Sequence, residues 1–298
     1  MKTIFTKLHI IDTGDADVNL SYLFLTIYIF SSTFFNESYK LIAKNMNRAS
    51  SLTVLVELIA GLVSLLFIPF FEIKFPTDIR IYFCFSLAII FYTIQDRLAT
   101  VSRSGLESST YGILKQISNV FVLIMGFVFL KEELTLKKIV GSILLIGSNV
   151  FVFYHKNGWE NKKYIIIGIV ANISMGMALF LDVSTSGNFN LAMYVSLTLL
   201  IPAMINSLIE RVRFNLLIIE YKTNKKYLVL LTGVLWSVMM LSKLLSYQFG
   251  EVTKIAPLCS LSVMLNVIFS YIFLNERGNL LRKVIASIFI IIGVFLIK

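Results

Sequence analysis

Tyr111, Lys115 and Asn119 recur at four-residue steps inside an apolar run, and on a helix this spacing sets a hydroxyl, an ammonium and an amide in one stripe. Lys254, Ser262 and Asn266 form a comparable stripe in a later run. Tyr92, Gln95 and Asp96 lie about one turn apart in another, Ser32, Asn36 and Lys40 follow at i+4 steps in the first, and Glu57 interrupts the second. Ionisable groups within apolar runs are costly unless they line a polar cavity or pair with one another. The residues that suit binding of a small polar solute are therefore Tyr92, Gln95, Asp96, Tyr111, Lys115, Asn119, Lys254, Ser262 and Asn266. Glu57 and Asp96 are the carboxylates available for proton coupling. Each has a plainer reading. Lys254 could snorkel to the interface, and Lys40, Arg97 and Lys243 could anchor span ends there. Asn119, Ser262 and Asn266 could be interhelical hydrogen-bond glue, Glu57 could neutralise a lysine, and Arg97 could pair with Asp96.

Other chemistries find no footing. Cys84 and Cys259 are far apart in apolar runs, and His9 and His155 lie near segment ends, so no metal site or disulfide framework is expected. There is no GxxxxGK phosphate loop for ATP hydrolysis and no DxxxD cluster of the kind a membrane transferase needs. No cofactor is implied.

The elements that must position these side chains follow from composition. The chain has 298 residues, 57% hydrophobic and 15% charged, with a mean hydropathy of +0.82; soluble domains carry about 25% charged residues. Apolar runs occupy 20–38, 52–71, 79–100, 108–130, 135–155, 163–184, 188–210, 227–248, 252–274 and 280–297. A spanning helix needs about 20 residues, so ten spans are expected, with little of the chain outside them. Barrel strands would be about half as long and strictly alternating. Small residues at packing spacing, Gly168, Ala171, Ser174 and Ala178 in the sixth run and Gly141, Ser142 and Gly147 in the fifth, allow close helix approach. The net charge of +10 resides in lysines and arginines at run ends, where it anchors spans against anionic lipid rather than binding nucleic acid. The first 19 residues carry Lys2 and Lys7 but no apolar core or cleavage site, so no removable signal peptide is expected.

An internal repeat organises the whole. Glu107 to Glu132 aligns with Glu251 to Glu276 at an offset of 144, matching Leu114 with Leu258, Ser118 with Ser262, and Phe129-Leu130-x-Glu132 with Phe273-Leu274-x-Glu276. One inserted residue later, Leu136 to Ile143 faces Leu281 to Ile288. Five spans separate equivalent points, and five is odd, so the second copy must be inverted in the membrane. The expected fold class is an all-α membrane protein, with ten transmembrane helices as two inverted five-helix repeats at 20–155 and 163–298, after a tail at 1–19. Such repeats typify secondary transporters, whose site lies near the midplane between the halves.

With these features the chain resembles the drug/metabolite transporter superfamily, in particular its EamA-type members: ten spans, two five-span repeats, Phe-Leu-x-Glu ends at 129–132 and 273–276, and Asn36-Glu37-Ser38-Tyr39-Lys40 closing the first span. A narrower likeness, over Tyr92 to Leu98 and Gly105 to Tyr111, is to nucleotide-sugar transporters of the same superfamily. It fails where those proteins carry a second amide and a lysine, since this chain has Asp96 and Ser118, with Lys115 nearly one turn earlier.

The resemblance and the stripes together imply a non-enzymatic secondary transporter. It would move a small organic metabolite by alternating access in a cell membrane, plasma or bacterial inner. Its partners would be a small-molecule substrate and membrane lipid, with no nucleic acid, and a homodimer remains open. The alternatives are a nucleotide-sugar or lipid-linked-sugar translocator and, from another class, a non-transporting scaffold or receptor, which would not need polar stripes in both repeats. Lys115 and Lys254, one from each half, favour a substrate bearing a carboxylate or phosphate, met by Tyr111, Lys115, Asn119, Gln95 and Lys254. The resemblance implies cytoplasmic termini. Positive-inside counting opposes this, because sixteen basic residues fall on the odd-numbered connections and eight on the other side.

Overall fold

The computed structural model describes residues 15–130, 135–153, 162–250, 252–275 and 280–297. Among them the chain forms thirteen α-helices and no strand. They are α1 (Asp15–Lys44), α2 (Ala49–Leu65), α3 (Ile79–Gly105), α4 (Ser108–Leu114), α5 (Gln116–Leu130), α6 (Leu136–Phe153), α7 (Lys162–Thr185), α8 (Leu191–Ile209), α9 (Phe214–Thr223), α10 (Lys226–Phe249), α11 (Val252–Leu258), α12 (Leu261–Phe273) and α13 (Leu280–Ile297). Their starts follow local chemistry where a cap is available. The Asp78 side chain accepts from Arg80 N at 2.9 Å to open α3, and Asn190 accepts from Met193 N at 3.0 Å to open α8.

Polarity is arranged inside out. Leu66, Phe83, Leu208, Phe273 and Phe295 are exposed, whereas Glu57, Asp182, Ser196, Ser237 and Lys243 are buried. A surface of this kind belongs in lipid, where backbone groups must be satisfied within helices. Four helices, Ile79–Gly105, Lys162–Asn188, Leu191–Ile209 and Lys226–Phe249, are long and apolar enough to cross a membrane, with Ala49–Leu65 and Leu261–Phe273 shorter and apolar. Among the described residues the chain is all-helical, with the helix lengths and surface of a membrane protein.

The helices depart from the apolar runs in instructive ways. The fourth run, 108–130, is two helices broken at Lys115, and the ninth, 252–274, is broken at Cys259 and Ser260. The same pair of bonds marks both breaks. Ser118 donates its hydroxyl to Lys115 O at 2.7 Å and its amide to the same oxygen at 3.2 Å. Ser262 repeats both bonds to Cys259 O, at 2.8 and 3.2 Å. In each case the backbone bond to a carbonyl three residues earlier is a tightened turn, and the serine hydroxyl joins it on the same oxygen. The charged connection after α8 adds a helix, α9, that the hydropathy pattern does not reveal.

Most of the stronger helix pairs keep a counterpart when α1, α2, α3, α4, α5 and α6 are exchanged for α7, α8, α10, α11, α12 and α13. The α1–α10 pair becomes α7–α3, α5–α11 becomes α12–α4, and α2–α8 and α6–α13 map onto themselves. The long pairs run antiparallel. Ser21 bonds Ser246 O at one end of α1–α10 and Phe35 meets Trp236 further along. In α3–α7, Tyr92 meets Asp182 and Ser102 meets Tyr164 O. In α2–α8, Arg48 pairs with Glu210 at one end, Ser196 bonds Gly61 O midway, and Asn190 bonds Ile68 O and Phe71 O at the other. Small residues permit the approach: a Cβ on Gly61 would lie 2.6 Å from Leu200, one on Gly112 2.8 Å from Asn266 Nδ2, and one on Gly168 2.6 Å from Ser102 Oγ. Gly147 has open space around it instead.

Candidate functional site

A narrow cleft opens between the two sets of helices. One wall comes from α3, where Tyr92, Gln95 and Asp96 face it, and the opposite wall from α10, where Trp236, Met239 and Met240 do. These are the same three positions counted 144 residues on. The lining thus sets a hydroxyl, an amide and a carboxyl from α3 beside an indole and two thioethers from α10. Phe35 of α1, Asn172 and Met175 of α7 and Leu199 of α8 complete the sides.

Two cations reach the cleft. Arg103, also on α3 and seven residues beyond Asp96, lies among the rings of Phe35, Tyr39 and Tyr111, 5.1, 4.7 and 4.5 Å from their centroids. Its Nε has no hydrogen-bond partner. A guanidinium stacked on aromatic faces is held in orientation while its edge stays free for a planar anion. Lys115 sits at the break between α4 and α5, where its Nζ donates to Ser32 Oγ at 3.0 Å and lies 3.8 Å from Met239 Sδ.

Behind these walls lie further buried charges. Asp182 of α7 accepts hydrogen bonds from Tyr92 and, at 2.7 Å, from Tyr194 of α8, whose hydroxyl also contacts Thr185 at 2.9 Å. Lys243 of α10 lies 5.2 Å from the Tyr28 ring centroid, and its Nζ has no hydrogen-bond partner. The same ring is 5.8 Å from Lys115 Nζ, so two ammonium groups flank one aromatic face. Glu57 of α2 interacts with the Asp96 side chain, and none of their four carboxyl oxygens has a hydrogen-bond partner among the described residues.

Tyr92, Gln95, Asp96, Tyr111 and Lys115 therefore come together as the sequence stripes suggest. Asn119, Ser262 and Asn266 do not reach the cleft. Asn119 donates to Gln116 Oε1 at 2.9 Å, Ser262 is committed to the helix break, and Asn266 packs on Gly112. Their stripes continue away from the cleft because each helix bends at the break. The Lys254 side chain, like Glu132, Glu276, His9, His155 and Trp159, lies outside the described residues. Two anchoring expectations change, and so does one pairing. Lys243 is 1% exposed in the interior, and Lys40 is buried with its ammonium on the carbonyls of Arg103, Ser104 and Leu106, closing the end of α3. Arg97 is half-exposed but pairs with Glu210 rather than Asp96. Glu57 neutralises no lysine.

Sequence reading missed Arg103, Asp182, Lys243 and the Trp236 wall. Arg103 was legible in principle, since Asp96 and Arg103 at i, i+7 share a helix face; ending the third run at residue 100 made it a loop charge. Among the described residues no group of three or more His, Cys, Asp or Glu is placed to hold a metal.

No family model matches the chain, and no curated protein matches it. A solved crystal structure, described only as that of a protein, is similar in fold, with a TM-score of 0.66 and 11% sequence identity over 93% of this chain and 95% of its own.

Proposed function

We propose that the chain is a secondary transporter, a ten-helix member of the drug/metabolite transporter type built from inverted repeats at 20–155 and 163–298, which carries a small organic anion by alternating access. One observation carries this reading: Tyr92, Gln95 and Asp96 face Trp236, Met239 and Met240, their counterparts 144 residues on, across a single cleft. A site on the exchange axis is reached equally by both halves, so the packing that closes one side can be reproduced on the other. The exchangeable helix pairs and the antiparallel α2–α8 pair support the inverted arrangement. Arg103 and Lys115 attract the anionic group, and the indole and thioether wall accepts an apolar body. No bond of the substrate needs to be made or broken, and the membrane is a cell membrane.

The test is uptake into proteoliposomes of benzoate, succinate and glycerol phosphate, with choline and glucose as cationic and neutral controls. At least one anion is expected to accumulate above empty vesicles while the controls do not. Lys115→Ala is expected to cut that uptake about tenfold or more, as loss of a desolvated charge contact would. Uptake of none of the anions, or rates undiminished in Lys115→Ala, overturns the assignment.

Orientation is part of the proposal. With Lys40, Arg103 and Lys283 buried against protein partners, the sixteen basic residues of one side fall to thirteen against eight, so the charge bias still opposes the resemblance. Cytoplasmic termini are proposed on the resemblance. An alkaline phosphatase fused after Lys298 should be inactive, and an active fusion would show the reverse orientation.

A further inference from the structure

We infer that Glu57 and Asp96 form one proton-binding site, and that an anion arriving at Arg103 draws one further proton onto it, so that anion and proton cross together. The second half of this statement rests on the transport reading; the first does not.

Glu57 is fully buried and Asp96 is 2% exposed, their side chains interact across the α2–α3 packing, and none of the four carboxyl oxygens has a hydrogen-bond partner among the described residues. The hydroxyls near them are committed elsewhere. Tyr39 contacts Thr100 at 2.7 Å, Thr53 bonds Thr100, and Thr100 donates to the main-chain oxygen of Asp96 at 3.1 Å. Two ionised carboxylates in contact away from water repel strongly, and a shared proton turns that contact into a hydrogen bond.

Asp96 is also the member of the pair that lines the cleft, and Arg103 lines it from the same helix and interacts electrostatically with Asp96. With the cleft empty, a pair holding one proton carries one negative charge opposite one guanidinium. An anion seated on Arg103 adds a second negative charge in the same dry region. Lys115 contributes the same charge before and after, so it does not enter the difference. The anion's field strengthens the pair's hold on a proton, and a hydronium ion on the entry side gives its proton to the remaining carboxylate oxygen, its own O–H bond breaking to leave water as the carboxyl O–H bond forms. Release of the anion on the far side restores the pull of Arg103 on Asp96, and that proton leaves to water there. The groups facing the pair are Tyr39 of α1, Tyr92 and Arg103 of α3 and Tyr111 of α4, with Asp182 of α7 and Tyr194 of α8 behind Tyr92.

Trp236 in the cleft wall reports on both events once the chain's other tryptophan is replaced, Trp159→Phe. The emission of purified protein, followed from about pH 5 to 9, is expected to show one transition. That transition should vanish in Glu57→Gln and, separately, in Asp96→Asn, and should be unmoved when choline replaces sodium. A transition that persists in both variants, or one that depends on sodium, overturns the proton site. In weakly buffered solution with a pH dye, saturating benzoate should draw about one proton per molecule bound in the parent protein and none in Asp96→Asn. Quenching of Trp236 by benzoate without proton uptake overturns the coupling. Failure of benzoate, succinate and inorganic phosphate alike to quench counts against the transport reading and removes the coupling with it, while the pH titration still decides the proton site.

Discussion

Arg103→Ala should lose anion binding by about 30-fold or more, because truncating one partner of a desolvated charge contact costs about 2–5 kcal/mol. The expectation rests on the placement of the guanidinium among Phe35, Tyr39 and Tyr111. Arg103→Lys should not restore it, although it keeps the charge. An ammonium on a flexible stem neither stacks on three rings nor presents two parallel donors to a carboxylate. Lys115→Ala should cost less than Arg103→Ala, because Ser32 and Met239 already share the Lys115 ammonium. Quenching of Trp236 in the Trp159→Phe background measures all three. A lysine variant with parental affinity would show that Arg103 supplies charge alone, and an alanine variant with parental affinity would place the anion elsewhere.

Asp182→Ala should be the most destabilising single change in the polar interior. The Asp182 carboxyl joins Tyr92 of α3 to Tyr194 of α8 from its seat on α7, so the substitution strands one buried hydroxyl and leaves the other only Thr185. It also removes an anion that acts electrostatically on Lys243, whose Nζ has no hydrogen-bond partner. Hydrogen bonds to charged groups contribute about 1.5–3 kcal/mol each, and breaking a buried charge relationship from one side is costly. The sum is on the order of 3 kcal/mol or more, several degrees in the thermal midpoint of the detergent-solubilised protein. Two comparisons isolate the cause. Asp182→Asn should fall less, since its amide oxygen still accepts one tyrosine. Adding Lys243→Met to Asp182→Ala should recover part of the loss, because the orphaned ammonium is then gone. A midpoint unchanged in Asp182→Ala would mean that the three helices are held without this contact.

Much of this protein is settled by its sequence. Run lengths and the inside-out distribution follow from the demand that backbone groups in lipid be satisfied within each helix, and helices occupy most of the described part of every apolar run. The 144-residue repeat is visible as residues, and Ser118 and Ser262, matched in sequence, make the same bond at the breaks of their helices. Tyr92, Gln95 and Asp96, or Tyr111 and Lys115, are on one helix face by spacing alone. Tertiary structure decided what such spacing leaves open, namely how each helix is rotated about its own axis and where it bends. That rotation is set by packing against helices far away in the chain. It turns Lys243 inward from an expected interface position and puts Asp182 between two tyrosines. It brings Glu57 of α2 against Asp96 of α3, while Arg97, the neighbour of Asp96, points outward to Glu210. The bends at Lys115 and Cys259 carry Asn119, Ser262 and Asn266 off the cleft although they share stripes with residues near it. A stripe is a property of one straight helix, and a cleft is a property of several bent ones.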